Sequence, residues 1–408
     1  MKKNLLMMIA VLAMVFASCN NDEQNENIPA GKPAQLSVKL AGVVKAPSSR
    51  AIEAPGKTAA GTIQLMPAGS GLTGQIYVIN STGVVTYHEA LNVSQALVDN
   101  GPGQILTRDV PSDSRVYIIG NIPAGNTSLS TEVVDGTTTL AQIQAKSDLL
   151  TTLIPQTVGG SQLQSYQTVV LANSDGAAKQ ITLNGNPLDN DRTTVEATVS
   201  IELNPLVSRI ELGKVTGDKN ILGFKVAGVY VDDWYPSFTY GGSFAGTMFS
   251  QGQNTLESAD ATYKANALGN AGEWAAVSVD PTDLETNPFI ATPGAGNVWA
   301  YNVAAGSLSR PIVLLKDVSY PADTDGNGTI EDGETYTETR TLYLTVTSYN
   351  GIENNVFKRG AIYSIGGLAN GIVFGPTNTG LTPNPANVSL QVSVTIKEWE
   401  IVYPDANL

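Results

Sequence analysis

The chain has 408 residues, 42% of them hydrophobic and 15% charged, with 40 Gly and 21 Pro. This composition fits two folded domains with real cores and excludes a disordered chain. The formal net charge is −14 and Lys and Arg are nowhere clustered, which sets nucleic acid aside as a partner.

Residues 1–18 read as an export signal, with Lys2 and Lys3 ahead of an apolar run, Leu5 to Ala17, that is too short to span a bilayer. Cys19, the only cysteine, follows Phe16-Ala17-Ser18 and precedes the polar run NNDEQNENIPAGKP. The arrangement resembles a bacterial lipoprotein lipobox, with Phe16 where an aliphatic residue is usual. A lone cysteine makes no disulfide, so the exported chain must be held by its core. Next, AQLSVKLAGVV places Leu36, Val38, Leu40 and Val44 on one face of a strand, and Arg50 follows in the loop KAPSSRAIEAPGK.

Short alternating runs then dominate: GQIYVIN, SRVYIIGNIPAG, YQTVVLANSDG, TVEATVSIELNPLVSRIEL, FKVAGVYVDDW and TLYLTVTSYNG. Period-two alternation with Gly, Asn and Asp turns predicts antiparallel β-sheet. A helix is expected from Thr139 to Ile154, stopped by Pro155, and a shorter one in EALNVSQALVDNG. No repeat of fixed period is present, which disfavours solenoids and propellers. The turn-rich NGNPLDNDR suggests a boundary near 192–196, giving two sandwich-sized halves, 51–194 and 195–408.

Catalytic signatures are sparse. His88 is the only histidine, and it reads as a strand or turn residue rather than as a triad member. No phosphate-binding glycine loop occurs. The reading is of a non-enzyme that requires no cofactor, with calcium as one candidate ligand. DTDGNGTIEDGE, residues 323–334, puts Asp323, Asp325, Asn327, Thr329 (through its carbonyl), Glu331 and Glu334 at the ligand positions of a twelve-residue calcium loop. Its flanks read as strands where an EF-hand has helices, so a solvated acidic hairpin stands beside calcium as the alternative. DDWYPSFTYGG groups Trp234, Tyr235, Phe238 and Tyr240, which suits either a sugar-stacking platform or packing.

The chain closes on VSLQVSVTIKEWEIV, with Val388, Leu390, Val392, Val394 and Ile396 on one face of a strand within 388–402. A cut after Arg50 would remove the lipid on Cys19 together with the first strand, all within 19–50. The sheet would keep an open groove, a template for a matching strand. The closing strand of another copy would fit it by strand addition. Each buried aliphatic contributes about 1.5–3 kcal/mol, so exchanging four residues for five gains on the order of 2 kcal/mol. Direction therefore comes from the cut, and such a head-to-tail contact extends into a filament.

With the lipobox, Arg50 followed by Ala51, VSIELNPLVSRIELGKV, FKVAGVYVDDWY, FKRGAIYSIGGL and VTIKEWEIV, the chain resembles the fimbrillins, major subunits of the type V pili of the Bacteroidales. The resemblance implies two transthyretin-like β-sandwich domains and transport to the outer membrane as a lipoprotein. It also implies cleavage of the Arg50–Ala51 bond by an arginine-specific protease and donor-strand exchange between copies into an extracellular fimbrium, with accessory pilins and an anchor. Two alternatives stand beside it: an anchored glycan-binding lipoprotein using Trp234 or Tyr240, and a tip or accessory pilin that accepts a strand without supplying one.

Overall fold

The computed structural model describes residues 34–41, 44–45, 62–64, 74–97, 101–123, 125–150, 169–184, 197–248, 250, 273–293, 298–352, 356–365, 371–383, 390–398 and 400–403. The chain opens with β1 (Leu36–Ala41), β2 (Val44–Lys45), β3 (Thr62–Gln64), β4 (Gly74–Ile79), β5 (Val85–Ala90), β6 (Gln104–Ile105) and β7 (Arg115–Gly120). It continues through β8 (Ser147–Leu149), β9 (Leu171–Asn173), β10 (Lys179–Gln180), β11 (Thr182–Leu183) and β12 (Ala197–Pro205). The second half begins with β13 (Val207–Leu212), β14 (Val215–Gly217), β15 (Gly223–Asp232), β16 (Ser237–Thr239), β17 (Phe244–Ala245), β18 (Trp274–Ala275), β19 (Ile290–Ala291) and β20 (Trp299–Ala304). Last come β21 (Arg310–Pro321), β22 (Thr335–Glu338), β23 (Leu342–Thr345), β24 (Ser348–Asn350), β25 (Ala361–Ile365), β26 (Ile372–Phe374), β27 (Gln391–Glu398) and β28 (Glu400–Tyr403).

The protein is mainly β, as the alternation predicted. The first sheet has the order β5-β4-β7-β9-β12-β1-β6, with β10 beside β7 and β11 beside β12. The second half builds β20-β13-β25-β27-β24 and β18-β15-β21-β22, the latter with β23 on β21. Most neighbours are antiparallel, but β1 runs parallel to β12, β13 to β25, β14 to β26, β24 to β27, and β28 to both β2 and β3. These exceptions join strands remote in sequence, where no hairpin dictates direction.

β12, which ends at Pro205, belongs to the first sheet, and β13, which begins at Val207, to one of the second half. The strands on either side of NGNPLDNDR, β11 and β12, pair as Thr182↔Thr198 and Leu183↔Ala197 within the first sheet, and residues 185–196 lie outside the described residues. Among the described residues two short helices form, α1 (Val93–Ala96) capped by Asn92 and α2 (Leu140–Ala145) with a capping box between Thr139 and Gln142. α2 stops well before Ile154 because Lys146 turns extended and β8 then pairs with β16.

Strand β13 is buried along its whole length, so the sheet is covered on both faces at this strand. Two charges lie inside it: Arg209 and Glu211 are 0% and 1% exposed, with Nε and Oε1 2.7 Å apart. Burial pushes the Arg209 guanidinium below its usual range, and the adjacent Glu211 carboxylate opposes that.

Candidate functional site

The strand ahead of Arg50 is an integral part of the first sheet. β1 pairs with β12 from Leu36↔Ala197 to Ala41↔Glu202 and with β6 through Ser37↔Ile105 and Val38↔Gln104. Alternation sends Leu36, Val38 and Leu40 inward, where they are 0%, 0% and 8% exposed, beside Ala197, Val199 and Ile201 of β12. Ala34 is held upstream by reciprocal backbone bonds with Val110, at 2.8 and 2.9 Å.

The outer face of β1 is also specified. Ser37 is 1% exposed, and its hydroxyl donates to the Pro102 carbonyl. Gly103 lies directly over the strand at a φ of 76°, and a Cβ there would stand 2.7 Å from the Val38 carbonyl oxygen and 2.8 Å from Ser37 Oγ. The site of Ser37 therefore accepts only a small side chain. Sequence reasoning missed this roof, because nothing local ties residues 102–103 to residue 37. Removing β1 would expose six residues of β12 edge and three aliphatic sites.

Val44 stands in β2, and Cys19, Arg50, Ala51 and Val388 lie outside the described residues. β28 joins the two ends of the chain, lying between β2 (Val44↔Val402) and β3 (Ile63↔Ile401), the strands on either side of the Arg50 segment. Of the segment 388–402 expected to supply the donor strand, the described residues include β27 and β28. β27 is interior to its own sheet, paired with β25 from Ala361↔Glu398 to Ile365↔Val394 and with β24 through Tyr349↔Val392. Leu390 and Val392 are buried at home, Val394 packs against the core, and Ile396 pairs with Tyr363. The gain of about one aliphatic residue on exchange, roughly 2 kcal/mol, therefore omitted the cost of leaving this sheet.

The acidic loop connects β21 and β22, an antiparallel hairpin. Carboxylate oxygens of Asp323, Asp325 and Glu334 come within 4.8 Å of one another. Asp323 accepts the backbone N–H groups of Gly326, Asn327 and Gly328, which lower its pKa, Gly328 most strongly. Glu334 accepts from the Glu331 amide and from Thr324, and its pKa is lowered for the same reason. Asn327 donates to Asp325 and Glu331 and accepts from Thr329.

The aromatic cluster is packing. Trp234, Phe238 and Tyr240 are buried, and Tyr235 stacks on Phe244. β16 pairs with β8, and the Tyr240 hydroxyl donates to Asp148 at 2.9 Å and accepts from Asn126 at 2.7 Å. Burial, with Asp148 beside it, pushes the Tyr240 pKa up. Arg359 adds a second tie between the halves, donating to the carbonyls of Asn173 and Ser174. His88 sits on β5, 2.7 Å from Asp135 and stacked on Tyr77.

No family model matches the sequence, and no curated protein matches it. Solved structures do match. A candidate cell adhesion protein from Bacteroides eggerthii aligns with 92% of this chain and 98% of its own at 12% identity, with a TM-score of 0.50. Another, from Parabacteroides distasonis, aligns with 91% and 98% of the two chains at 15% identity and a TM-score of 0.45. A fimbrilin from Porphyromonas gingivalis aligns with 91% and 98% at 13% identity and a TM-score of 0.42. The chain thus shares its fold with the Bacteroides eggerthii protein along nearly the whole length of both.

Proposed function

We propose that this chain is the structural subunit of a cell-surface fimbrium, built for assembly rather than catalysis. It would be exported as a lipoprotein through Cys19, held in the outer membrane, and cut between Arg50 and Ala51 by an arginine-specific protease. Polymerisation would follow by strand exchange with other copies. Accessory pilins and an anchor complete the assembly that the fimbrillin resemblance implies.

The observation that carries the reading is the burial of β1 between β12 and β6, in the segment ahead of Arg50. One cut there would separate lipid and strand from a sheet whose groove fits a strand. The position of β28 supports the same sequence of events, since the cut falls between its two partners and would leave it with β3 alone. The fold shared with the Bacteroides eggerthii protein, named for cell adhesion, agrees with a surface role. A glycan platform at Trp234 and Tyr240 is disfavoured, because both rings are buried. The test is the N-terminus of the assembled surface material, expected at Ala51.

For the 323–334 loop, calcium is assigned a stiffening role. Calcium at a hundred times its Kd is expected to stabilise the fold by about 2.7 kcal/mol. Thermal melts with and without calcium would read this directly. An unchanged midpoint together with no heat of binding would leave the loop a hydrogen-bonded hairpin.

A further inference from the structure

The two strands that compete for the groove carry one pattern. Residues 33–45 read PAQLSVKLAGVVK and residues 385–397 read PANVSLQVSVTIK. Without a gap, Pro33 matches Pro385, Ala34 Ala386, Ser37 Ser389 and Lys45 Lys397. Between these anchors aliphatic faces aliphatic, so that Leu36, Val38 and Leu40 stand opposite Val388, Leu390 and Val392. Alternation alone is generic to strands. A Pro-Ala pair and a serine at the same spacing are not required by it.

Resting on the strand-exchange reading, we propose that the closing segment of a second copy enters the groove in this one register, in the direction of β1. Ala386 takes the site of Ala34, and Ser389 takes that of Ser37 with its bond to the Pro102 carbonyl. Val388, Leu390 and Val392 fill the three inward sites. Their combined volume falls one methylene short of the original set, with the larger side chain moved from the outer sites to the middle one.

Neighbouring registers fit less well. A shift of two residues puts Gln391 under the Pro102–Gly103 roof, where Ser37 is enclosed and Gly103 already touches the strand. A shift of four keeps a serine there, Ser393, but places Leu390 where buried Ala34 bridges to Val110. The segment must first leave home, where Gln391–Ser393 pair with β24 and Val394–Glu398 with β25.

The cut chain is free of cysteine, since Cys19 lies ahead of Arg50, so disulfide trapping reads the register directly. Lys39 faces Ser200 in the present pairing, and Ser200 is exposed. The full chain carrying Ser200→Cys and Gln391→Cys, cut after Arg50, assembled under reductant and then mildly oxidised, is expected to give a ladder of covalent multimers. Ser200→Cys combined with Ser393→Cys or Thr395→Cys is expected to lose that ladder. A ladder from either of those pairs instead would overturn the register and leave strand exchange standing. Polymers that form without a ladder from any of the three pairs would overturn the register. Gln391 is exposed, so a Gln391→Cys chain that folds yet fails to assemble would also contradict the register.

Discussion

Replacing Arg50 with alanine is expected to leave a folded, lipid-bearing monomer and to abolish filaments. While the chain is intact, β1 returns to its slot as a tethered strand at an effective concentration in the millimolar range. Once severed, it returns only from bulk solution, and at micromolar concentration or below that is a handicap of about a thousandfold, roughly 4 kcal/mol. The inward side chains of the two competitors are nearly equal in size, so this difference decides which strand occupies the groove. An uncut β1, whose three buried aliphatics are each worth about 1.5–3 kcal/mol, would exclude an untethered competitor. Sedimentation of the purified variant and microscopy of cells expressing it would check this. Filaments of normal length from Arg50→Ala would defeat the account.

Replacing Glu211 with alanine is expected to cost about 3–5 kcal/mol. Arg209 is fully buried, and Glu211 is its ion-pair partner among the described residues. Without that carboxylate the guanidinium is left as an uncompensated charge on a strand buried on both faces. For a unit of about 200 residues the loss amounts to roughly 10 °C in Tm. Replacing both residues with aliphatics of similar volume is expected to restore stability or raise it, since two desolvated charges then leave the interior together. A single Glu211→Ala variant that melts like the parent would show that the buried pair carries no such burden.

Local pattern made the strands legible and placed Leu36, Val38 and Leu40 on the inward face of β1. It also put the acidic loop between two strands, where β21 and β22 hold it. What the sequence hid was pairing at a distance. Nothing near residue 36 announces β12, and nothing near Val392 announces that β24 pairs with Gln391–Ser393 and β25 with Val394–Glu398. NGNPLDNDR reads as a linker from its turn chemistry, which does not reveal that the strands on either side of it, β11 and β12, pair with each other. The grouping of Trp234, Phe238 and Tyr240 is commoner in packing than in a sugar platform, and their burial, with β8 of the first half beside them, agrees with packing. Arg359 gave no signal of its role, because the carbonyls it grips at Asn173 and Ser174 belong to the other half of the chain.

The central claim is that one cut after Arg50 releases both lipid and strand, and that the chain then assembles. The N-terminal sequence and intact mass of material sheared from the cell surface test it most directly. High-mass polymers of a chain that begins at Ala51 are the predicted result. A monomer that begins at a lipidated Cys19 would contradict it and would favour an anchored lipoprotein.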